Sequence, residues 1–113
     1  MTREDFEIDV DTLHQRRQGE DPPVVLDVRE ANELAICALE DAWHIPMQEI
    51  PARLAEIPAD RAVVAMCHTG MRSMQVTQFL HHHGYTNVRN LAGGIDAWAA
   101  RIDRLDADRA GLY

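Results

Sequence analysis

The chain has 113 residues, 46% of them hydrophobic, which suits one globular domain and excludes a disordered chain. Nineteen acids against eleven bases give a net charge of −8, the wrong sign for reading nucleic-acid phosphates or coating an anionic membrane. All eleven bases are arginine, which excludes Schiff-base catalysis, a pyridoxal-phosphate enzyme and a P-loop ATPase, because each needs a lysine amine.

The opening MTREDFEIDV is acidic and matches neither a secretory signal nor an Arg-rich transit peptide. Apolar runs such as residues 62–67 fall far short of the ~20 residues of a membrane helix. Cys37 and Cys67 make neither a zinc motif nor a C-x-x-C redox pair, so a soluble, cytoplasmic protein in a reducing compartment is expected. Acid is concentrated early, with twelve acids and four arginines in residues 1–41.

In chain order, residues 6–8 form the first candidate strand. Val24, Val25 and Leu26 follow Pro22-Pro23 and read as a buried strand, and residues 43–45 read as a short one. Ile50, Leu54 and Ile57 make an apolar stripe at helical spacing. Residues 62–66 predict another buried strand. It runs through Cys67-His68-Thr69-Gly70-Met71-Arg72-Ser73 into a helix ending at His83, with Val76, Phe79 and Leu80 on one face. Gly84 stands where a helix C-cap favours a left-handed residue. Val88–Leu91 is a further strand, and Ile95, Trp98 and Ile102 form the last stripe. Short apolar strands alternating with helices predict crossover connections and a mostly parallel α/β sheet.

In such sheets ligand chemistry gathers at the carboxyl ends of strands. A cysteine leaving a buried strand at the start of a helix meets free N–H groups and the positive end of the helix dipole, both of which favour a thiolate. Gly70 can adopt positive φ and let the loop close, a curled loop aims its N–H groups inward, Arg72 supplies a cation, and Ser73 can hydrogen-bond within the loop. Asp27 and Arg29 lie at the end of another strand, where they can pair, order the neighbouring loop or touch a substrate. Cys37 reads as a small packed residue rather than a resolving thiol. Met66, Met71 and Met74 read as apolar wall and core, and Trp98 as core. His68 is either an aid to the thiolate or a solvated loop residue. His81, His82 and His83 point about 100° apart on a helix and cannot share one metal ion.

Cys67-x-x-Gly70-x-Arg72-Ser73 resembles the active-site loop of the rhodanese-like sulfurtransferases. Val25-Leu26-Asp27-Val28-Arg29-Glu30 is similar to the family's L-[IL]-D-V-R-E strand end, Ile45-Pro46 to its N-I-P segment, and Leu91-Ala92-Gly93-Gly94-Ile95-Asp96-Ala97-Trp98 to its L-x-G-G-x-x-A-W segment. The resemblance implies a single rhodanese-like domain over residues 1–113, with a five-stranded, mostly parallel sheet flanked by helices. It implies Cys67 as sulfur carrier, His68, Thr69, Gly70, Met71, Arg72 and Ser73 as the substrate-binding loop, and Asp27 and Arg29 as supporting residues. A small donor such as thiosulfate or a persulfide would pass sulfur to a thiol, cyanide or a protein acceptor, with no cofactor, metal, nucleic acid or membrane involved.

Two readings compete with this one. A non-catalytic binding or sulfur-sensing module would use the rhodanese fold to dock a partner. A phosphatase or arsenate reductase of related fold would need C-x5-R, one residue longer than the Cys67–Arg72 spacing. The chain also departs from the family's G-H-I-P-G-A stretch, with Cys37-Ala38-Leu39-Glu40-Asp41-Ala42 in its place. That substitution leaves the turn without its Gly and Pro, and it brings Glu40 and Asp41 toward the site if the loop folds that way.

Overall fold

A computed structural model describes residues 6–104. The elements are β1 (Glu7–Ile8), α1 (Val10–Arg17), β2 (Val24–Asp27), α2 (Ala31–Leu34), β3 (Trp43–His44), β4 (Val63–Met66), α3 (Met71–His82), β5 (Val88–Leu91) and α4 (Gly94–Trp98). The strands pair in the order β1-β5-β4-β2-β3, all parallel. This is the predicted α/β sheet, with β4 at its centre.

A parallel sheet covered on both faces needs strands that are apolar on both sides. Every residue of β2 and β4 is buried, and alternate residues feed opposite cores. Val24, Leu26, Val63 and Ala65 join Val76 and Leu80 of α3 on one face. Val25, Val64 and Met66 join Leu13 of α1 and Trp98 of α4 on the other. Cys67 continues the Val63–Ala65 side of that alternation, so its side chain enters the core cluster beneath α3.

Some elements differ from the sequence expectation. The Ile50–Ile57 stripe forms 3-10 turns, Met47–Glu49 and Pro51–Glu56, because Pro51 interrupts the backbone ladder and Arg53 is non-helical inside the second turn. Helix α1 carries only Val10 and Leu13 inward, too few for a visible stripe; its start is set by Asp9, whose carboxylate accepts from the Thr12 N–H at 2.8 Å. In the altered 37–42 segment, Asp41 adopts φ +66°, taking the left-handed turn that a glycine would otherwise provide. Leu39 and Ala42 pack on the α1–α4 core, and Arg17 donates to the Glu40 carbonyl at 3.2 Å. Glu40 and Asp41 line hollows shared with Arg17, so the expected acidic approach to the Cys67 loop does not come from them.

Candidate active site

Strand β4 ends at Met66, and α3 begins at Met71 after Gly70, whose φ is +104°. The Cys67 sulfur sits inside this bend. The Gly70 N–H donates to it at 3.1 Å and the Ser73 N–H at 3.4 Å, with the Ser73 hydroxyl oxygen at 3.2 Å. Burial pushes the Cys67 thiol up, but hydrogen bonds from the Ser73 hydroxyl and from the Ser73, Gly70 and Thr69 N–H groups outweigh it and leave the pKa lowered. Cys67 is 1% exposed, so only a slender group can reach the sulfur.

The loop is clamped from outside by α4. The Ile95 N–H donates to the Cys67 carbonyl at 2.9 Å, and the Asp96 N–H to the His68 carbonyl at 3.0 Å. With the His68 carbonyl held outward, the Thr69 N–H across the same planar peptide turns toward the sulfur. Gly94, at φ +61°, permits the contact, since a β-carbon there would lie 2.5 Å from the Cys67 carbonyl oxygen.

Arg72 lies close enough to feel the Cys67 charge, but its guanidinium is held by an acid. Its guanidinium makes a two-pronged bridge to Glu33, at 2.6 and 2.8 Å. Glu33 also accepts from the Glu30 N–H in a capping box that opens α2. The hydrogen bonds from Arg72 pull the Glu33 carboxyl down to about 2. The loop's cation is therefore neutralised in place. That capping pair was the available sequence signal for Glu33, and it was missed.

Asp27 and Arg29 form a buried ion pair, 0% and 2% exposed, with a 2.8 Å contact. Arg29 also donates to the carbonyls of Cys37 at 2.9 Å and Glu33 at 3.5 Å. Of the three roles open to these residues, they pair and order the α2 turn, which in turn presents Glu33 to Arg72. Asn90 of β5, also missed, is 1% exposed and touches both Ser73 and Gly70. Its signal was a polar residue between the buried Val88 and Leu91.

Other expected wall residues lie elsewhere. Met71 is 76% exposed, because the helix start turns it outward, whereas Met66 is core. Thr69 is exposed and offers its backbone N–H. His68 is exposed and lies 3.9 Å from Asp96. Cys37 is exposed rather than packed, and its carbonyl is the atom the fold uses. His81 donates to the Val88 carbonyl at 2.6 Å while His83 faces the Phe79 carbonyl at 2.8 Å, so these rings point apart. Among the described residues no three His, Cys, Asp or Glu side chains gather to hold a metal ion, and no helix is long and apolar enough to cross a membrane.

The Glu33–Arg72 bridge predicts a specific acid response. A carboxyl whose folded pKa lies below its unfolded value stabilises the fold fully above the unfolded pKa, here near 4.5, and loses that contribution as pH falls toward about 2. The difference in urea midpoint between the native protein and Glu33→Gln should be constant near neutrality and should shrink between these limits. A difference that persists undiminished at pH 2 would exclude the ionic bridge as its source.

Comparison with known proteins agrees with this geometry. The family model for the Rhodanese-like domain matches residues 9–101. A sulfurtransferase of Allochromatium vinosum is 44% identical over 82% of this chain and 87% of its own length. The putative sulfurtransferase YtwF of Bacillus subtilis is 35% identical over 81% of this chain and 88% of its own. The crystal structure of SSP1007 from Staphylococcus saprophyticus superposes with a TM-score of 0.76 and 33% identity, covering 80% of this chain and 90% of that one.

Proposed function

This chain belongs to the rhodanese-like family and is a sulfurtransferase of that type, and from this premise we propose that it carries sulfane sulfur as a persulfide on Cys67. The observation that carries the reading is the Cys67 sulfur held among the Gly70 N–H, the Ser73 N–H and the Ser73 hydroxyl. In the first half-reaction the thiolate attacks the outer sulfur of the donor. A new S–S bond forms, the donor's own S–S bond (in 3-mercaptopyruvate its C–S bond) breaks, and the electron pair leaves with a thiolate, with sulfite or with the enolate of pyruvate. In the second, an acceptor thiolate, cyanide or a protein nucleophile attacks the outer sulfur, and the Cys67 thiolate is regenerated. Loop N–H groups stabilise the anion at each stage without having to reorganise.

A persulfide of low charge is the preferred donor, rather than thiosulfate. Thiosulfate is a dianion, and the loop's arginine is already committed to Glu33. Glu33→Gln should release that charge and lower the KM for thiosulfate about fivefold, the ratio that ~1 kcal/mol gives for a partly exposed pair. High salt should blunt the gain. A thiosulfate KM unchanged by Glu33→Gln at low salt would show that the backbone cradle binds the dianion unaided.

Intact mass spectrometry after separate exposure to thiosulfate, a low-molecular-weight persulfide and 3-mercaptopyruvate tests the function. Gain of one sulfur atom on Cys67, removed by cyanide or thiol, is the expected result. No adduct with any donor would favour a binding module, and hydrolysis of a phosphate ester would favour the phosphatase reading.

A further inference from the structure

Behind the cysteine loop, one hydrogen atom is offered two acceptors. Asn90 donates through Nδ2 to the Gly70 carbonyl at 3.1 Å and to the Glu7 carboxylate at 3.2 Å. Both partners only accept, which fixes the amide and turns its carbonyl oxygen, Oδ1, toward Ser73. The Ser73 hydroxyl oxygen lies 2.5 Å from Oδ1 and 3.2 Å from the Cys67 sulfur. A hydroxyl has a single hydrogen, and Oδ1 has none to give. Ser73, Asn90 and Cys67 are 0%, 1% and 1% exposed, so solvent competes little for this hydrogen. Thr77 holds the Ser73 carbonyl at 2.8 Å, leaving rotation of the hydroxyl as the free coordinate.

We propose that Asn90 is a positioning residue that governs the Ser73 hydroxyl, keeping its hydrogen off the sulfur in the thiol and yielding it in the thiolate. In the thiol, Ser73 donates to Asn90 and its oxygen accepts from the Cys67 S–H. When that proton leaves to water, the hydroxyl turns and donates to the anionic sulfur. Once the persulfide forms, the charge resides on the outer sulfur, the inner sulfur is a weak acceptor, and the hydroxyl returns to Asn90. The rotor thus supports the nucleophile only while it is charged. The proposal rests on Cys67 as the reacting thiol.

Other charged groups bound the interpretation. Arg72 with Glu33 lies on the α3–α2 side, Glu7 lies behind Asn90, Asp27 with Arg29 ends β2, and His68 with Asp96 lies at the mouth. Ser73→Ala alters none of them, and Asn90→Leu touches only Glu7, by removing the Nδ2 hydrogen bond that its carboxylate accepts.

The test is the pH profile of iodoacetamide alkylation of Cys67, followed by intact mass in a Cys37→Ala background. It needs no sulfur donor, so its result is independent of whether a persulfide forms. Asn90→Leu leaves Ser73 no acceptor except the sulfur, and the midpoint should fall by about one pH unit, with roughly tenfold faster alkylation below it. Ser73→Ala should raise the midpoint by about as much. In the Ser73→Ala background, Asn90→Leu should have no further effect. An unchanged or raised midpoint in a cooperatively melting Asn90→Leu protein would reduce Asn90 to a brace for the loop. An unchanged midpoint in Ser73→Ala would show that the hydroxyl never serves the sulfur, which overturns the proposal even if Asn90→Leu does not fold.

Discussion

Cys67→Ala should reduce sulfur transfer by a factor on the order of 10⁴ or more, down to background, while the protein stays folded. In the proposed mechanism the carrier is the Cys67 sulfur itself, which is the atom the Gly70 and Ser73 N–H groups hold. Cys37, the second thiol, is exposed on the α2 turn, and Cys37→Ala should keep most activity. The stability cost at Cys67 is that of removing one buried atom, about 1 kcal/mol, or a fall of ~5 °C in Tm. Steady-state transfer, mass spectrometry of the sulfur adduct and a thermal melt check all three statements. Turnover by Cys67→Ala near the native rate would end the proposed mechanism.

Gly94→Ala should damage both stability and activity, although it lies outside the cysteine loop. The added β-carbon would lie 2.5 Å from the Cys67 carbonyl oxygen and even closer to that of His68. Both are backbone atoms of the cysteine loop, so neither can swing aside as a flexible side chain would. The left-handed φ of +61° adds strain for any residue with a β-carbon. Overpacking and strain together should cost about 3 kcal/mol or more. Relief requires α4 to withdraw, which breaks the Ile95 and Asp96 hydrogen bonds that turn the loop carbonyls outward. A displacement near 1 Å at a reacting centre can lower turnover by ~10²-fold. Gly84→Ala provides the comparison. Gly84 also has positive φ, +93°, but a β-carbon there meets nothing within 4 Å, so only backbone strain should register and activity should persist. Equal activity losses in the two variants would mean that the α4 clamp is not what shapes the loop.

Much of this architecture was legible before any coordinates. Uninterrupted apolar runs at residues 24–26 and 62–66, bounded by turn residues, suit strands covered on both faces. Glycine at position 70 reflects a bend that few other residues could make. The altered 37–42 loop was harder to read, because Asp41 occupies a left-handed conformation without the glycine that signals one. The 3-10 turns at Met47–Glu49 and Pro51–Glu56 kept the apolar spacing of an α-helix, and spacing alone does not distinguish the two ladders.

What the sequence determined by itself is local: the strand alternation that sends Cys67 beneath α3, the bend at Gly70, and a row of N–H groups at a helix start. These follow from backbone periodicity and from which residues tolerate positive φ. Only the tertiary structure decided how the loop's charge and hydrogen bonds are spent. Arg72 meets a carboxylate 39 residues away in sequence, Ser73 shares its hydrogen with Asn90 17 residues on, and α4 presses its first N–H groups onto the loop carbonyls. Each of these contacts depends on the strand order β1-β5-β4-β2-β3, which places β5 and the α2 turn on opposite sides of the cysteine. A side chain's type fixes what it can bond to, but its partner is fixed by which strands lie side by side.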